Sequence, residues 1–273
     1  MAPKYCVVLG SGLTAVTEAL IAGAEHLRLF YQNIQHFRPC TMSGHRGALV
    51  LSGDLAILEG RGHPYEERSA HELAHHVRTL GWLGCRSFIL TNATGSLLPD
   101  LFPGSIALVE DHFCLPTGLD PTVGVLDKDN PDETRLMRSE FLDAQRLYHP
   151  KFLEQAEACA IELGIPAPRR VRYGIIQVGR RYETPAEIDF GRRVGIETVG
   201  MSLVTETLAI KAMGANTLAI NGISNWAVGI EAALDGHPLT HKSVTDVMEE
   251  LVAPQLSRLI PALVGRSTTP VPI

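Results

Sequence analysis

The sequence has no long apolar run, no basic cluster and no paired-cysteine motif. No segment approaches the roughly 18 consecutive apolar residues that a membrane-spanning helix needs. The amino terminus lacks the charged and apolar regions of a secretory signal. The formal net charge is −6, so the chain has no electrostatic footprint for nucleic acid. These absences predict a globular, cytoplasmic protein that binds neither a membrane nor nucleic acid.

Cysteine is scarce and scattered, with five residues and no CxxC pair. This usage is typical of a reducing compartment rather than of a disulfide scaffold. Cys6 and Cys85 lie in or beside apolar runs, so we expect both in the core. His71 and His75 have the i, i+4 spacing of metal ligands on a helix, but no third ligand is in view. The sequence therefore predicts no metal site.

The size and composition are those of an ordinary globular protein. The chain has 273 residues, of which 45% are hydrophobic and 20% are charged. A chain of this length buries roughly 75% of the surface that its unfolded form exposes, so it needs no disulfide or metal for stability. Because no repeat or linker interrupts it, we predict one domain over residues 1–273, with a loosely held tail at 265–273.

Short apolar strands alternate with amphipathic helices along the chain, which favours an α/β fold. Apolar runs predict strands at residues 5–9, 48–51, 55–58, 88–90 and 105–109, and a turn signal at 52–54 joins the second and third as a hairpin. Helical spacing predicts helices at 13–21, 67–80, 143–163 and 240–263. Residues 116–140 are rich in Gly, Pro, Asp and Asn and predict a long functional or partner-facing loop.

A glycine-rich turn follows the first strand. Gly10, Ser11 and Gly12 precede the predicted helix, and such turns let the backbone approach a phosphate while helix N–H groups face the anion. With Ala15 they also fit the loose form of a dinucleotide-binding fingerprint. The acidic residue expected about 20 positions further on is missing, so an NAD-dependent oxidoreductase is only an outside alternative.

Two residues suited to an oxyanion follow the strand at 55–58. Arg61 and His63 share one face if the chain stays extended, and a guanidinium with an imidazole can bind phosphate. The alternative is a solvated loop with a surface arginine. Residues 91–96, which are small and polar, follow the strand at 88–90 and are suited to backbone donation to an anion.

Three polar signatures lie between residues 179 and 225, each after an apolar run. They are Tyr182-Glu183-Thr184-Pro185, Gly200-Met201-Ser202 and Ser224-Asn225. In an open α/β sheet, ligands collect where parallel strands end. The signatures therefore predict one shared pocket with a carboxylate, a hydroxyl and a carboxamide, although each alone is equally typical of a turn or a cap.

Together these motifs resemble the trimeric purine nucleoside phosphorylases. The resemblance extends from Val7 to about Leu251, through GSG, GH-x-G, EGR-x-H-x-YE, TNA-x-G, YETPAEI, VGMS and an S/T-N pair in the family's order. It implies an α/β fold with a mixed, partly barrel-like sheet surrounded by helices, and a homotrimer. It implies purine salvage, in which phosphate cleaves a purine nucleoside to free base and ribose 1-phosphate. No metal or organic cofactor is implied, because inorganic phosphate is a co-substrate.

The resemblance also implies roles for individual residues. Phosphate is expected at Ser11, His45, Arg61, His63, the backbone N–H of Ala93, and Ser202. Ribose is expected at Tyr65, Met201 and His241, and at Phe141 of a neighbouring subunit. The base is expected at Gly95, Tyr182, Glu183, Val199, Ser224 and Asn225. Of these residues, Asn225, Glu183 and His63 are expected to act in catalysis.

In this interpretation the base-binding residues predict a preference for 6-oxopurines such as inosine and guanosine. Asn225 can donate to N7 and accept at O6, and Glu183 can accept the N1–H. Adenine lacks that hydrogen, so adenosine would leave a buried carboxylate facing a lone pair. A mismatch of this kind can discriminate by about 10⁴-fold.

The chain departs from the family pattern at several positions. Arg180-Arg181 replaces the usual Pro-Ser, and we expect both side chains to point to solvent. Thr94 stands where alanine is common, and Gly95-Ser96-Leu97 resembles the 5′-methylthioadenosine phosphorylases. Against that, those enzymes have Asp in place of Asn225 and an apolar residue in place of His241. A 5′-methylthionucleoside phosphorylase and a non-catalytic nucleoside-binding protein are therefore the alternatives.

Overall fold

The computed structural model describes residues 2–41, 44–122, 141–230 and 239–266, and the strands within them form one mixed sheet. The strands are β1 (Tyr5–Leu9), β2 (Leu27–Phe30), β3 (Ala48–Ser52), β4 (Leu55–Glu59), β5 (Ser87–Ser96), β6 (Ile106–Cys114), β7 (Arg169–Ile175), β8 (Thr198–Val199) and β9 (Asn216–Trp226). Their order is β2-β3-β4-β1-β5-β8-β7-β6-β9, and β5 also pairs with β9. Strands β5 to β9 therefore close into a ring, which confirms the mixed and partly barrel-like sheet.

Helices surround this sheet. They are α1 (Thr14–Leu20), α2 (Ala70–Trp82), α3 (Pro150–Glu162), α4 (Pro185–Arg193), α5 (Val204–Ala212), α6 (His241–Val247) and α7 (Ala253–Arg266). A π-helical turn, Met248–Val252, joins α6 to α7. The helix predicted at 240–263 is therefore present, with this irregular turn inside it. No helix in the described ranges is long and apolar enough to cross a membrane.

Two predicted helices begin later than the sequence suggested. The prediction for residues 143–163 is wrong in its first turns, because α3 begins at Pro150 after the extended His149. Proline lacks an N–H and disfavours helical backbone in the residue before it. Helix α2 begins at Ala70 because Ser69 and Glu72 exchange hydrogen bonds in a capping box, whereas Glu67 has a φ of 57°.

The antiparallel strands β2, β3 and β4 extend the sheet beyond β1. Strands β3 and β4 form the predicted hairpin, and Gly53 in its turn has a φ of 57°. Strand β2 pairs with β3 but was not predicted. Its four side chains are exposed or half-buried, so it gives none of the apolar signal that marks the buried strands.

The polar segments that were expected to follow strands lie inside strands. Residues 91–96 belong to β5, and Ser224 and Asn225 belong to β9. The two strands pair in parallel along their length, but the register shifts after Thr94: Thr94 lies opposite Ile223 and Gly95 lies opposite Asn225. Strand β9 therefore carries one extra residue, Ser224, at this point, which is a β-bulge.

The core lies along the central strands. All residues of β1 and β4 are buried, and Tyr5, Phe88, Tyr148 and Tyr173 are among the largest wholly buried side chains. Cys6 and Cys85 are buried as predicted, and all cysteines are free. The predicted loop at 116–140 lies outside the described residues from 123 onwards, and so does the predicted tail from 267 onwards.

Candidate active site

A cavity of about 420 Å³ gathers most of the predicted site residues. Those that line it are Ser11, His63, Tyr65, Ala93, Gly95, Tyr182, Glu183, Val199, Met201, Ser224, Asn225 and His241. His45, Arg61 and Ser202 are not among the lining residues, but His45 contacts Ser11 and Arg61 approaches Ser202. Phe141 does not line the cavity of its own chain, and its side chain is fully exposed.

The turn after β1 presents Ser11. Gly10 approaches β5 so closely that a Cβ would lie 2.9 Å from the Asn92 Cα, and its N–H donates to Thr91 Oγ1 at 3.1 Å. Gly12 has a φ of 74°, a conformation that favours glycine. Ser11 Oγ lies 3.1 Å from His45 Nε2. The glycines thus fix the turn, and the Ser11 hydroxyl faces both the cavity and His45.

The Arg61 guanidinium is buried and held by several hydrogen bonds. Its Nε donates to Glu206 Oε1 at 3.1 Å, and its Nη1 donates to the Thr91 carbonyl at 2.6 Å. Nη1 also lies 3.5 Å from Ser202 Oγ. Arg61 is therefore a rigid hydrogen-bond donor beside Ser202 and not a mobile surface cation.

His63 stacks between two aromatic rings. Its ring centroid lies 5.3 Å from that of His45 and 4.9 Å from that of Tyr65. Burial, together with the nearby His63 and Arg61, lowers the pKa of His45 to about 3. Burial also lowers the pKa of His63, although the hydrogen bond to Glu66 opposes this. Both rings are therefore neutral at pH 7.

Glu66 determines which nitrogen of His63 carries the hydrogen. Its Oε1 lies 3.3 Å from Nδ1 and accepts the His63 backbone N–H at 2.8 Å. Burial alone would raise the pKa of Glu66, but hydrogen bonds from His63 and Thr41 and the charge of Arg68 lower it to about 2. Because a carboxylate only accepts, Nδ1 holds the hydrogen and Nε2 of the neutral ring is an acceptor. Glu66 was not predicted as a site residue, although its i, i+3 spacing from His63 is typical of a local side-chain contact.

The turn after β8 carries Met201 and Ser202 and is strained. Leu203 has φ 73° and ψ −49°, a conformation that L residues rarely adopt. Val204 N–H donates to the Ser202 carbonyl at 2.9 Å across this residue. Ser202 N–H donates to Tyr173 Oη at 3.1 Å, and a Cβ at Gly200 would lie 2.7 Å from the same oxygen. Neither Tyr173 nor the strain could be read from the sequence.

Glu183 presents a buried carboxylate to the cavity. It precedes α4, whose start is fixed by the capping box of Thr184 and Glu187. Its side chain is mostly buried, and burial raises its pKa. Among the residues that the structure describes, Oε1 of Glu183 has no hydrogen-bond partner. An unpaired buried acceptor is costly, so this oxygen is available to a donor on a ligand.

Gln177 organises the loop before Glu183. Its Oε1 accepts the Gly179 N–H at 2.6 Å, and its Nε2 donates to the Arg181 carbonyl at 2.6 Å. Nε2 also lies 3.8 Å from Met201 Sδ. Gln177 lies in the apolar run before Tyr182 and was not predicted as a site residue. A single amide inside that run was the available signal.

Arg180 and Arg181 are exposed, as expected, but both also border the cavity. Arg181 Nη2 donates to Glu187 Oε1 at 2.6 Å, and Nη1 donates to the Tyr182 carbonyl at 3.0 Å. Arg181 thus stabilises the loop before Glu183 from the exposed side. Arg180 makes no ion pair with any residue in the described ranges.

Ser224 orients the amide of Asn225. The Ser224 hydroxyl lies 2.7 Å from Asn225 Oδ1 and 3.2 Å from the Thr94 carbonyl. Asn225 Nδ2 donates to the Trp226 carbonyl at 2.8 Å. The second hydrogen of Nδ2 has no acceptor among the residues that the structure describes. A Cβ at Gly95 would lie 3.2 Å from Nδ2, so glycine keeps the space beside the amide open.

The remaining lining residues carried little sequence signal. They are Thr94, Gly200, Ala227, Val228, Leu239, Thr240 and Val244, together with the two arginines. Most are small or apolar and differ in no visible way from core residues. Within the described ranges, no group of three or more His, Cys, Asp and Glu side chains is arranged to hold a metal ion.

Comparisons with known proteins give one consistent relationship. The family described as the phosphorylase superfamily matches residues 4–264. Purine nucleoside phosphorylase 1 of Bacillus subtilis is 33% identical over 268 residues, which cover 97% of this chain and 92% of the relative. The purine nucleoside phosphorylase of Mycobacterium tuberculosis is 34% identical over 248 residues, covering 87% and 80%. The crystal structure of Schistosoma mansoni purine nucleoside phosphorylase in complex with adenosine superposes with a TM-score of 0.86 at 23% identity, covering 98% and 92%.

Proposed function

The chain belongs to the phosphorylase superfamily, and we propose that it is a purine nucleoside phosphorylase of purine salvage. In the proposed reaction, phosphate attacks C1′ of a purine nucleoside and releases the free base and ribose 1-phosphate. The observation that carries the proposal is the cavity itself. It brings Ser11 and His63 together with the unpaired Oε1 of Glu183 and the oriented amide of Asn225.

Phosphate binds between the turn after β1 and the turn after β8. Ser11, His45, Arg61, His63, the backbone N–H of Ala93, and Ser202 surround it in this proposal. Because Nε2 of the neutral His63 ring is an acceptor, it can accept the proton of the phosphate monoanion. The proton transfer leaves the phosphate dianion as the nucleophile. Glu66 then stabilises the imidazolium through Nδ1–H, because its Oε1 lies 3.3 Å from Nδ1.

Ribose lies against Tyr65, Met201 and His241, with His241 near the 5′-hydroxyl. Phe141 does not line the cavity of its own chain, and its exposed ring suits a neighbouring cavity in a homotrimer. The five free cysteines favour a cytoplasmic location. Sedimentation that finds an active monomer would remove the role of Phe141.

The base lies against Gly95, Tyr182, Val199 and Ser224, with Glu183 and Asn225 as its polar partners. As the C1′–N9 bond breaks, its electron pair moves to the purine and positive charge develops on the sugar. The second Nδ2 hydrogen of Asn225 donates to N7 and stabilises the leaving base. One well-aimed donor of this kind contributes about 3 kcal/mol. The unpaired Glu183 oxygen accepts N1–H of a 6-oxopurine, so inosine and guanosine are preferred.

No metal or organic cofactor takes part in this reaction, and phosphate is the co-substrate. The test is release of hypoxanthine from inosine by the purified protein, with and without phosphate, beside adenosine and 5′-methylthioinosine. Phosphate-dependent release from inosine with little from adenosine is the expected result. Phosphate-independent release would contradict a phosphorylase. Tight nucleoside binding without release would favour a non-catalytic nucleoside-binding protein.

A 5′-methylthionucleoside phosphorylase is the second candidate, favoured by Gly95-Ser96-Leu97. His241 separates the two, because it lines the cavity at the first residue of α6. In a 6-oxopurine nucleoside phosphorylase, His241→Ala impairs inosine far more than 5′-deoxyinosine, which lacks the hydroxyl that His241 contacts. An equal loss with both substrates, together with faster cleavage of 5′-methylthioinosine by the wild type, would favour the second candidate.

A further inference from the structure

Tyr173 lies wholly buried under the turn that carries Ser202. It belongs to β7, where Tyr173 pairs with Thr198 and Gly174 pairs with Val199 of β8. Its side chain runs beneath the residues that follow β8, and Oη accepts the Ser202 N–H at 3.1 Å. Gly200 lies directly over the same oxygen, since a Cβ there would approach it to 2.7 Å. The Tyr173 hydroxyl therefore packs closely against the turn and forms a hydrogen bond with it.

The turn needs an external support because its backbone is strained. Leu203, with φ 73° and ψ −49°, is in a sparsely populated region of backbone conformation. Such a conformation persists only where surrounding contacts impose it. The Gly200 N–H donates to the Gly174 carbonyl at 3.1 Å, and the Ser202 N–H donates to Tyr173 Oη. Both supports come from β7.

The position of Ser202 matters for the chemistry beside it. Its Oγ lies 3.5 Å from Arg61 Nη1, which donates to it. Arg61 itself is held rigidly by Glu206 and by the Thr91 carbonyl. A small rotation of the Ser202 peptide would therefore separate the hydroxyl from a guanidinium that cannot follow.

We propose that Tyr173 is a positioning residue for phosphate, whose hydroxyl holds the strained turn so that Ser202 stays beside Arg61. This inference rests on the proposed function for the identity of the anion. Tyr173 does not line the cavity and touches neither substrate. Its hydroxyl bonds the Ser202 N–H, and Glu183 and Asn225 are held by other elements, so its effect is larger on the phosphate half of the site than on the base half.

The test is Tyr173→Phe, which removes only the hydroxyl. We expect the KM for phosphate to rise about tenfold, as for loss of one hydrogen bond that leaves a donor unpaired. The KM for inosine at saturating phosphate should change less than twofold. The matched control is Tyr148→Phe. Tyr148 is equally buried and bonds His112 Nδ1 at 2.9 Å, away from the cavity. A purely structural role for Tyr173 would lower thermal stability in both variants and leave the two KM values in their wild-type ratio.

A double-mutant cycle with Ser202→Ala tests the route of the effect. If Tyr173 acts through Ser202, the double variant should bind phosphate no more weakly than Ser202→Ala alone, within twofold. Fully additive losses, or an unchanged phosphate KM in Tyr173→Phe, would overturn the inference. Calorimetric titration of inorganic phosphate measures the same quantity without turnover. Absence of base release by the wild type would therefore contradict only the proposed function. The titration would still test whether Tyr173 positions Ser202 for phosphate binding.

Discussion

Arg61 and Glu206 form a buried ion pair, with Nε and Oε1 3.1 Å apart and only 3% and 8% of their side chains exposed. The pair joins the segment after β4 to helix α5, which are far apart in sequence. Oε2 of Glu206 has no hydrogen-bond partner in the described part of the chain. The buried carboxylate of Glu206 thus holds the Arg61 guanidinium in place.

Glu206→Gln should destabilise the protein clearly. Removing one charge of a buried pair costs about 3 kcal/mol or more, equivalent to roughly 10 °C in melting temperature. Differential scanning calorimetry with phosphate-free buffer measures the change. The control is Glu157→Gln, because Glu157 pairs with Arg170 at 2.6 Å where the Arg170 and Glu157 side chains are 36% and 29% exposed, and an ion pair that solvent screens in this way contributes less than about 1 kcal/mol. Equal shifts in the two variants would contradict the importance of the Arg61 contact.

Glu183→Gln should reduce discrimination between bases. The amide cannot accept N1–H with the strength of a carboxylate, and its NH₂ can donate to N1 of adenine. We expect kcat/KM for inosine to fall about 100-fold or more and the ratio of inosine to adenosine to fall further. Steady-state assays of both nucleosides give this ratio. Asp189→Asn, an exposed carboxylate on the adjoining helix α4 that pairs with Arg193, should leave the ratio unchanged. A wild-type ratio in Glu183→Gln would exclude contact between Glu183 and the base.

Asn225→Ala should lower turnover with little effect on phosphate. Loss of one oriented donor to the leaving base typically costs 10²–10³ in kcat. Ser224→Ala should give a smaller loss, of roughly tenfold, because the amide remains but its Oδ1 loses the hydroxyl at 2.7 Å. Ser224→Thr keeps the hydroxyl and serves as the conservative control. If Ser224→Ala and Ser224→Thr had the same kcat, the orienting hydrogen bond would be irrelevant to catalysis.

Acid should destabilise the protein through His76, which is unrelated to the cavity. Burial, helped by the charges of His75 and Arg68, lowers the pKa of His76 to about 3, against roughly 6.5 in an unfolded chain. Between these values the unfolded chain binds the extra proton, so stability falls as pH decreases through that window. From pH 7.5 to 5 this one group removes about 2 kcal/mol.

His76→Leu should therefore flatten the pH dependence. Urea unfolding at pH 7.5 and 5 measures the free energy of unfolding of the variant and of the wild type. The difference between the two pH values should be about 2 kcal/mol smaller in the variant. His26→Gln, at an exposed position, is the control and should follow the wild type. An unchanged pH dependence in His76→Leu would show that His76 is not kept neutral by the fold.

The sequence predicted which residues gather at the cavity better than it predicted the elements that carry them. Glu183 and Asn225 were predicted because polar side chains interrupt apolar runs at recognisable motifs. Strand β5 was predicted too short and Asn225 was expected after a strand, because polar strand ends look like loops and only the closing of the ring pairs β5 with β9. The start of α3 was predicted too early because helical periodicity extends to both sides of Pro150, whereas the helix begins at the proline.

Residues that act through long-range contacts could not be found in this way. Tyr173 and Glu206 are separated from their partners Ser202 and Arg61 by one or more strands or helices. Their roles depend on which atoms the fold brings within hydrogen-bonding distance. For Glu66 the partner His63 is local, and the spacing alone was informative.

The extra residue in β9 has a consequence for the length of that strand. Neighbouring side chains of a regular strand point to opposite faces, yet Ser224 and Asn225 both line the cavity. The bulge opposite Thr94 and Gly95 is what allows two adjacent residues to share one face. Deleting one residue just before Ser224 would restore the regular ladder, place Ser224 opposite Thr94 and turn its hydroxyl to the face opposite the Asn225 amide. The cavity therefore depends on residue count in β9 as strictly as on residue identity.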